Sequence, residues 1–395
     1  MHFLSTGGMK YAGFLVPAEG SNHPLTERLV GSGIFSNQTA VEVGVAVRGF
    51  FTDDDGELFL TMLGQLERIV SEHMPPELQP PAPVDAEQIF ILFHNDGRIE
   101  IWINETRFQV STRVRRDVNA GELAKLGDIS DIENVRLVGI DMPEKCGFVS
   151  FIALHGNRCL VFDLRPVLDE WDESSWDPIA LLTASFTYLL FRQQLSLTDA
   201  EWQVMFEQGW FPFICLDVET VGAMIRAMRE AKPIDDCLAR ITENVRSLLP
   251  EIGRYFSSHA VFDRHRAVIV QALAAYERRD YALANTALLV RTEGLLRDYY
   301  ARGEATRKPD QKRYLNAIAQ RSTRNPLSLL RPQRFADYLE SVIFAYEDFR
   351  NPATVSRVTR HSVGHGVADS ELLNEKFATI ALICVYQIGI LTSTG

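Results

Sequence analysis

The stretch that decides the fold class is residues 89–104, which read IFILFHNDGRIEIWIN. An apolar run, IFILF, precedes the tripeptide NDG at 95–97, and an alternating run, RIEIWIN, follows it. An Asp-Gly or Asn-Gly pair between two such runs is the strongest short-range signal for a β-hairpin. Residues 148–166, FVSFIALHGNRCLVFDLRP, repeat the design with a turn at HGN. The two segments predict a largely antiparallel sheet.

Outward from these hairpins, the N-terminal part alternates strand and helix patterns. Residues 39–51 alternate and are rich in valine, which is typical of a strand. An acidic turn, TDDDGE, leads into an amphipathic pattern over 58–74 that predicts a helix. The proline-rich connector at 75–83 ends this pattern.

From about residue 171 onward, almost every segment has apolar residues at three- and four-residue spacing, as helices do. We therefore predict an α+β protein in which a strand-rich mixed domain is followed by an all-α region. The predicted domains are a sensor or regulatory domain over 1–166, a helical connecting domain over 174–258, and an all-α domain over 259–395.

The charge distribution is uneven. The chain of 395 residues has a formal net charge of −12, which argues against a protein whose whole surface binds nucleic acid. Residues 291–366, however, contain 14 Arg and Lys against 8 Asp and Glu. An anionic ligand would be expected in this region. The smaller basic cluster at Arg115 and Arg116 is interpreted as a solvated face.

The cysteines and the apolar segments indicate an intracellular protein. Five cysteines without a CxxC spacing predict reduced, buried thiols and no structural zinc site or other cofactor. The N-terminal residues lack the pattern of a signal peptide. The longest apolar run, at 377–391, is short for a membrane span and predicts a buried core helix. We expect a cytoplasmic location and no membrane partner.

The segment whose side chains are best suited to bind a ligand or to catalyse a reaction is TRHSVGHG at 359–366. One interpretation is structural, with satisfied core or surface side chains. A second is a metal site, because His361 and His365 share a face if the segment is helical. Against it, Arg360 repels a cation and a third ligand must come from elsewhere.

The third interpretation is an anion site with acid–base capacity. Arginine offers a planar and permanently charged fork that suits phosphate, and histidine exchanges protons near neutral pH. Glycines at 364 and 366 allow close approach of a ligand. RNA cleavage by the ribose 2′-hydroxyl needs a general base, a general acid and a cation, and no metal.

The motif resembles the R-x4-6-H signature of HEPN domains. Arg360-x4-His365-Gly366 stands before the last apolar helix, and the sequence is similar to the bacterial variant N-R-H-x-x-x-H-G, with Thr359 in place of Asn. Residues 265–300 resemble the first helical pair of such domains, including the pair Glu293-Gly294. The resemblance covers about residues 259–393.

The resemblance implies a small helical bundle that dimerises and brings two such motifs together in a shared cleft. Many members of the family are metal-independent endoribonucleases that act as toxins or in antiviral defence, and others only bind. We expect His365 to be the general base or acid, Arg360 to bind the phosphate, His361 to be the complementary acid or a donor, and Glu293 to orient a histidine.

We therefore predict a metal-independent endoribonuclease with a composite dimer site, or else a non-catalytic module that binds nucleotides, RNA or a protein. Expected partners are RNA, including tRNA, a second copy of the chain, and an antitoxin or trigger ligand at the N-terminal domain. The basic residues expected to follow an RNA backbone are Arg307, Lys308, Lys312, Arg313, Arg321, Arg324 and Arg357. For Tyr299, Tyr300 and Tyr314 the favoured interpretation is core packing, and stacking on bases is the alternative.

Overall fold

The computed structural model confirms the predicted α+β arrangement, in which a strand-rich N-terminal region is followed by helices. It describes residues 11–15, 36–39, 42–45, 48–73, 86–119, 122, 124–143, 145–165, 177–303, 310–346 and 358–393. The chain forms two compact units. The first comprises residues 1–111, 132–190 and 324–326, and the second comprises 112–131, 191–323 and 327–395.

The first unit is built on a six-stranded antiparallel sheet with the order β1-β6-β5-β9-β10-β4. A two-stranded ladder joins β2 to β3, and another joins β7 to β8. The strands are β1 (Tyr11–Leu15), β2 (Ser36–Thr39), β3 (Glu42–Val45), β4 (Arg48–Thr52), β5 (Gln88–Phe93), β6 (Ile99–Ile103), β7 (Arg107–Val114), β8 (Ile129–Val138), β9 (Gly147–Leu154) and β10 (Asn157–Asp163).

Both predicted hairpins are confirmed. In the first, Phe93 of β5 pairs with Ile99 of β6, and Gly97 turns the chain with a φ of 83° that glycine adopts readily. In the second, Leu154 of β9 pairs with Asn157 of β10 across a two-residue turn. The turn residues here serve the chain reversal itself.

The core of the first unit lies between this sheet and helix α1 (Glu57–His73), which confirms the helix predicted over 58–74. Phe59 and Leu66 of the helix belong to one buried cluster with Ile91, Ile101 and Phe151 of the sheet. The apolar residues of α1 recur at helical spacing, and the residues of β5 that belong to this cluster, Ile89, Ile91 and Phe93, alternate along the strand. Each element therefore turns one apolar face to the other.

Helix α2 (Pro178–Leu195) begins at the proline that the sequence pattern indicated. The carboxylate of Asp177 accepts a hydrogen bond from the Ala180 amide at 2.8 Å and so caps the helix start. Within the first unit, Phe186 packs edge-on against Phe108, with 4.9 Å between ring centroids. From Phe191 onward the helix belongs to the second unit.

The second unit is helical. Its long helix α8 packs against α7, α9, α11 and α12. The helices are α3 (Asp199–Glu207), α4 (Val218–Arg229), α5 (Leu238–Ser247), α6 (Leu249–Ser258), α7 (Arg266–Glu277), α8 (Tyr281–Gly303), α9 (Gln311–Ala319), α10 (Pro332–Tyr338), α11 (Arg360–Gly364) and α12 (Glu375–Ser393), with a π-helical turn at Leu339–Ile343 after α10.

Helix α12 is the buried core helix predicted for the apolar run at 377–391. Within the described residues it is the one helix long and apolar enough to cross a membrane, and 78% of its apolar window is buried inside the protein. It is therefore the core helix of a folded unit.

The interpretation of Arg115 and Arg116 as a solvated face is wrong for Arg115. Its side chain is 8% exposed, and its guanidinium donates to the carbonyls of Cys215 and Gly127 and to the side chain of Asn244, at 2.7–2.8 Å. These acceptors satisfy the buried charge, so Arg115 connects three segments of the second unit.

The thiols are free, as predicted, and four of the five cysteines are buried. Burial raises the pKa of Cys159 and of Cys215 to about 12, so both thiols stay protonated at neutral pH.

Candidate functional site

The segment TRHSVGHG folds as a short helix, α11, that is capped at both ends. The Thr359 hydroxyl accepts a hydrogen bond from the Ser362 amide at 3.0 Å, and the Ser362 hydroxyl accepts one from the Thr359 amide at 2.9 Å. Both side chains are buried. Thr359, at the position of Asn in the HEPN variant, is therefore a helix cap.

The C-terminal end of α11 is closed by a glycine. Gly366 has a φ of 68°, its amide donates to the Val363 carbonyl at 3.1 Å, and the Val367 amide donates to the Ser362 carbonyl at 2.9 Å. This is the Schellman pattern, which requires a left-handed residue after the helix. Gly366 thus ends the helix, and His365 is its C-terminal cap residue.

The two histidines share one face of α11. The rings of His361 and His365 are nearly parallel, with 9° between their planes and 5.9 Å between their centroids. This geometry follows from their separation of four residues, about one helical turn. His365 is exposed and His361 is half-buried.

Arg360, at the start of the same helix, forms an ion pair with Glu293 of α8. The second carboxylate oxygen of Glu293 pairs with Arg297, one turn further along α8. The structure thus brings Glu293 against Arg360, whereas the sequence analysis expected it to orient a histidine.

The Glu293 carboxylate is nearly buried, with 10% of its side chain exposed, against 25% for Arg360 and 54% for Arg297. Two positive charges face one negative charge, so the cluster keeps a net positive charge. The Nε atom of Arg360 is buried and forms no hydrogen bond within the described residues. A buried guanidinium donor of this kind favours an anionic partner.

This cluster changes the pKa of two neighbouring groups. Burial, followed by the positive charge of Arg360, lowers the pKa of His361 below its ordinary value, which favours the neutral imidazole. Burial and the negative charge of Glu293 raise the pKa of Tyr314, whose hydroxyl lies within hydrogen-bonding reach of that carboxylate.

The glycine after Glu293 permits a close approach between α8 and the residue before α7. A Cβ atom at Gly294 would lie 2.7 Å from an atom of the His265 ring, closer than real Cβ contacts come. The ring of His265 is also 3.3 Å from the Asp298 carboxylate. The Glu293-Gly294 pair therefore combines a partner for Arg360 with a packing site for His265.

Three of the remaining predicted basic residues lie on helix α9 or just after it. Arg313 of α9 lies 3.6 Å from Asp310, and Arg321 donates to the Tyr299 hydroxyl at 3.0 Å. Lys312 is exposed on α9.

Arg324 belongs to the first unit, where it lines a cavity of about 620 Å³ together with residues of β8 and the start of α2. Arg307, Lys308 and Arg357 lie outside the described residues.

Core packing, the favoured interpretation of the three tyrosines, is confirmed for Tyr314. Tyr314 is 1% exposed and packs edge-on against Phe344, so it is a core residue. Tyr346, which the sequence analysis passed over, is 78% exposed, and its ring lies 6.2 Å from that of His361. Arg297 was also missed, although its four-residue spacing from Glu293 is the usual sign of a helical ion pair.

Within the described residues, no three His, Cys, Asp or Glu side chains are grouped as metal ligands. Comparisons of the chain with protein-family models, with curated proteins and with solved structures found no match. The assignment to HEPN domains remains a hypothesis carried by the motif.

Proposed function

We propose that this protein is a metal-independent endoribonuclease of the HEPN type. The observation that carries the proposal is the arrangement on α11: a paired but partly exposed Arg360 stands beside two histidines stacked on one helix face. These side chains supply one fixed positive charge and two imidazole groups. Cleavage of RNA through its 2′-hydroxyl requires this set.

The half-buried His361 is assigned as the general base. Its lowered pKa keeps the imidazole neutral, so it is able to take the proton of the 2′-hydroxyl. The resulting oxygen attacks the adjacent phosphorus and forms the 2′-O–P bond. Arg360 stabilises the additional negative charge on the phosphorane.

The exposed His365 is assigned as the general acid. It donates a proton to the departing 5′-oxygen as the P–O5′ bond breaks. The products are a 2′,3′-cyclic phosphate and a 5′-hydroxyl, and the two histidines exchange protonation states over the cycle. Glu293 holds Arg360 in place and acts only through it.

The site lies on an exposed helix end, which suits a polymeric substrate or a second copy of the chain. We propose that a homodimer brings two such helices together and completes the site. On this model the first unit regulates the nuclease, in response to an antitoxin or a trigger ligand. The protein then acts in the cytoplasm as a toxin or defence effector, with RNA, including tRNA, as substrate.

The test is cleavage of total RNA and of purified tRNA in the presence of EDTA. The parent protein is expected to leave 2′,3′-cyclic phosphate ends, and the His365→Ala and Arg360→Ala variants are expected to be inactive while remaining folded. Matched controls are His259→Ala, at an exposed histidine after α6, and Arg240→Ala, which removes an exposed ion pair with Glu219. Both controls are expected to retain activity.

Two results would count against the nuclease. Full activity in both α11 variants would remove these residues from the mechanism. Tight RNA binding by the parent, without turnover at any protein concentration or with any activating partner, would favour the non-catalytic binding module.

A further inference from the structure

Three rings lie next to one another at α11. They belong to Tyr346, His361 and His365, and we refer to them as the ring row. The rings of Tyr346 and His361 meet edge-to-face, with 72° between their planes, while those of His361 and His365 are nearly parallel. The row therefore begins at a tyrosine and ends at the two groups assigned to proton transfer.

Tyr346 is strongly exposed for an aromatic residue. Its 78% exposure is the highest among the exposed large apolar side chains in the described part of the chain. The exposure thus leaves a planar aromatic surface accessible beside His361.

We propose that Tyr346 stacks on a nucleobase next to the scissile phosphate, and that the substrate is accordingly single-stranded at that nucleotide. This inference rests on the proposed nuclease function. Stacking on an exposed aromatic ring is a general way to hold single-stranded RNA, because every base has a π face. A base within a duplex is already stacked on its neighbours and has no face to offer.

The placement of the three rings agrees with the connectivity of a nucleotide. One ribose carries both the base and the 2′-hydroxyl, so the group that stacks the base and the group that deprotonates the hydroxyl must be neighbours. Tyr346 and His361 are neighbours, with 6.2 Å between ring centroids. Arg360 precedes His361 in the chain and serves the phosphate attached to the same sugar.

The first experiment measures binding separately from cleavage. In the His365→Ala background, where RNA stays intact, fluorescence anisotropy compares a short single-stranded RNA with an abasic ribose-phosphate strand of equal length. We expect Tyr346→Ala to weaken binding of the RNA by about 5- to 150-fold, the range typical of the loss of one stacked base, and to leave the abasic strand unaffected. Tyr346→Phe, which keeps the ring, is expected to bind like tyrosine.

The matched control is Leu283→Ala, at another exposed apolar residue of the second unit. It is expected to leave both affinities unchanged. Equal weakening of both strands, or no weakening of either, would overturn the proposal. A change of oligomeric state on Tyr346→Ala, with unchanged RNA affinity, would overturn it too and identify the ring as part of a contact between copies.

The second experiment separates this inference from the proposed function. In the otherwise unchanged protein, Tyr346→Ala is expected to lower kcat/KM for RNA cleavage and Tyr346→Phe to preserve it. If the parent does not cleave but the base-dependent binding difference is present, the stacking role stands and the nuclease fails. If the parent cleaves and neither variant differs from it, the nuclease stands and the stacking role fails.

Discussion

Replacing Glu293 by glutamine tests whether the α11 site depends on a nearly buried ion pair. The substitution keeps the size of the side chain and one acceptor oxygen, and it removes the negative charge between Arg360 and Arg297. Arg360 then retains its charge with 25% of its side chain exposed and no counter-ion from this position. Arg297 is more than half exposed, so water compensates for most of its lost ion pair with Glu293.

The expected magnitude follows from these exposures. Breaking a fully buried pair costs about 3–5 kcal/mol, whereas an exposed pair contributes about 0–1 kcal/mol. Since the Glu293–Arg360 pair lies between these limits, nearer the buried one, Glu293→Gln is expected to lower the free energy of unfolding by about 2–3 kcal/mol.

The assay is a double-mutant cycle with Glu293→Gln, Arg360→Gln and both together, in which urea unfolding is followed by the circular dichroism of the helices. The coupling energy is expected to be about 1–2 kcal/mol. The control cycle uses Glu219 and Arg240, whose side chains are 78% and 45% exposed, and a coupling below about 0.5 kcal/mol is expected there. Similar couplings in the two cycles would refute the argument that burial strengthens the Glu293–Arg360 pair.

Three further variants or titrations test other parts of the structure. In thermal unfolding, Gly294→Ala is expected to destabilise the second unit by about 1–3 kcal/mol, because the new methyl group meets the ring of His265. The control, Gly64→Ala on α1, places its methyl group where no atom lies within 4 Å, and it is expected to be neutral or stabilising. Arg115→Met is expected to lower the free energy of unfolding by about 2–4 kcal/mol in a urea titration, since the carbonyls of Cys215 and Gly127 and the side chain of Asn244 lose their donor. A decrease of less than about 0.5 kcal/mol would contradict this role of Arg115. His361 is expected to titrate below its ordinary value of 6.5 in an NMR pH series, so that its contribution to folding stability is present above that value and is lost as the pH falls towards the folded-state pKa; a midpoint at or above 6.5 would contradict the lowered pKa.

The parts of the fold that were predicted correctly depend on interactions close in sequence. The hairpin at 89–104 is specified by two apolar runs, the second of which alternates, and by the turn at Gly97, all within one short segment. Helices α1 and α12 follow from apolar periodicity or from a continuous apolar run. In each case the physical cause lies inside the segment that shows the pattern.

The errors and omissions concern contacts between distant segments. The pattern around Arg115 is that of a surface cluster, and its acceptors at Cys215 and Asn244 lie about a hundred residues or more away. Tyr346 has no local signal at all, because its importance comes from the ring of His361 beside it. Neither relation is expressed in local periodicity or composition.

The motif on α11 shows which part of the candidate site a local sequence pattern predicts. Threonine, serine and glycine in TRHSVGHG cap both ends of a short helix, and the four-residue spacing of His361 and His365 places them on one face of that helix. The pattern does not specify the direction of Arg360, which depends on Glu293 of α8. The chemistry proposed here requires both the histidine pair and the oriented guanidinium. The candidate site accordingly consists of α11 packed on α8, and the sequence motif covers only α11.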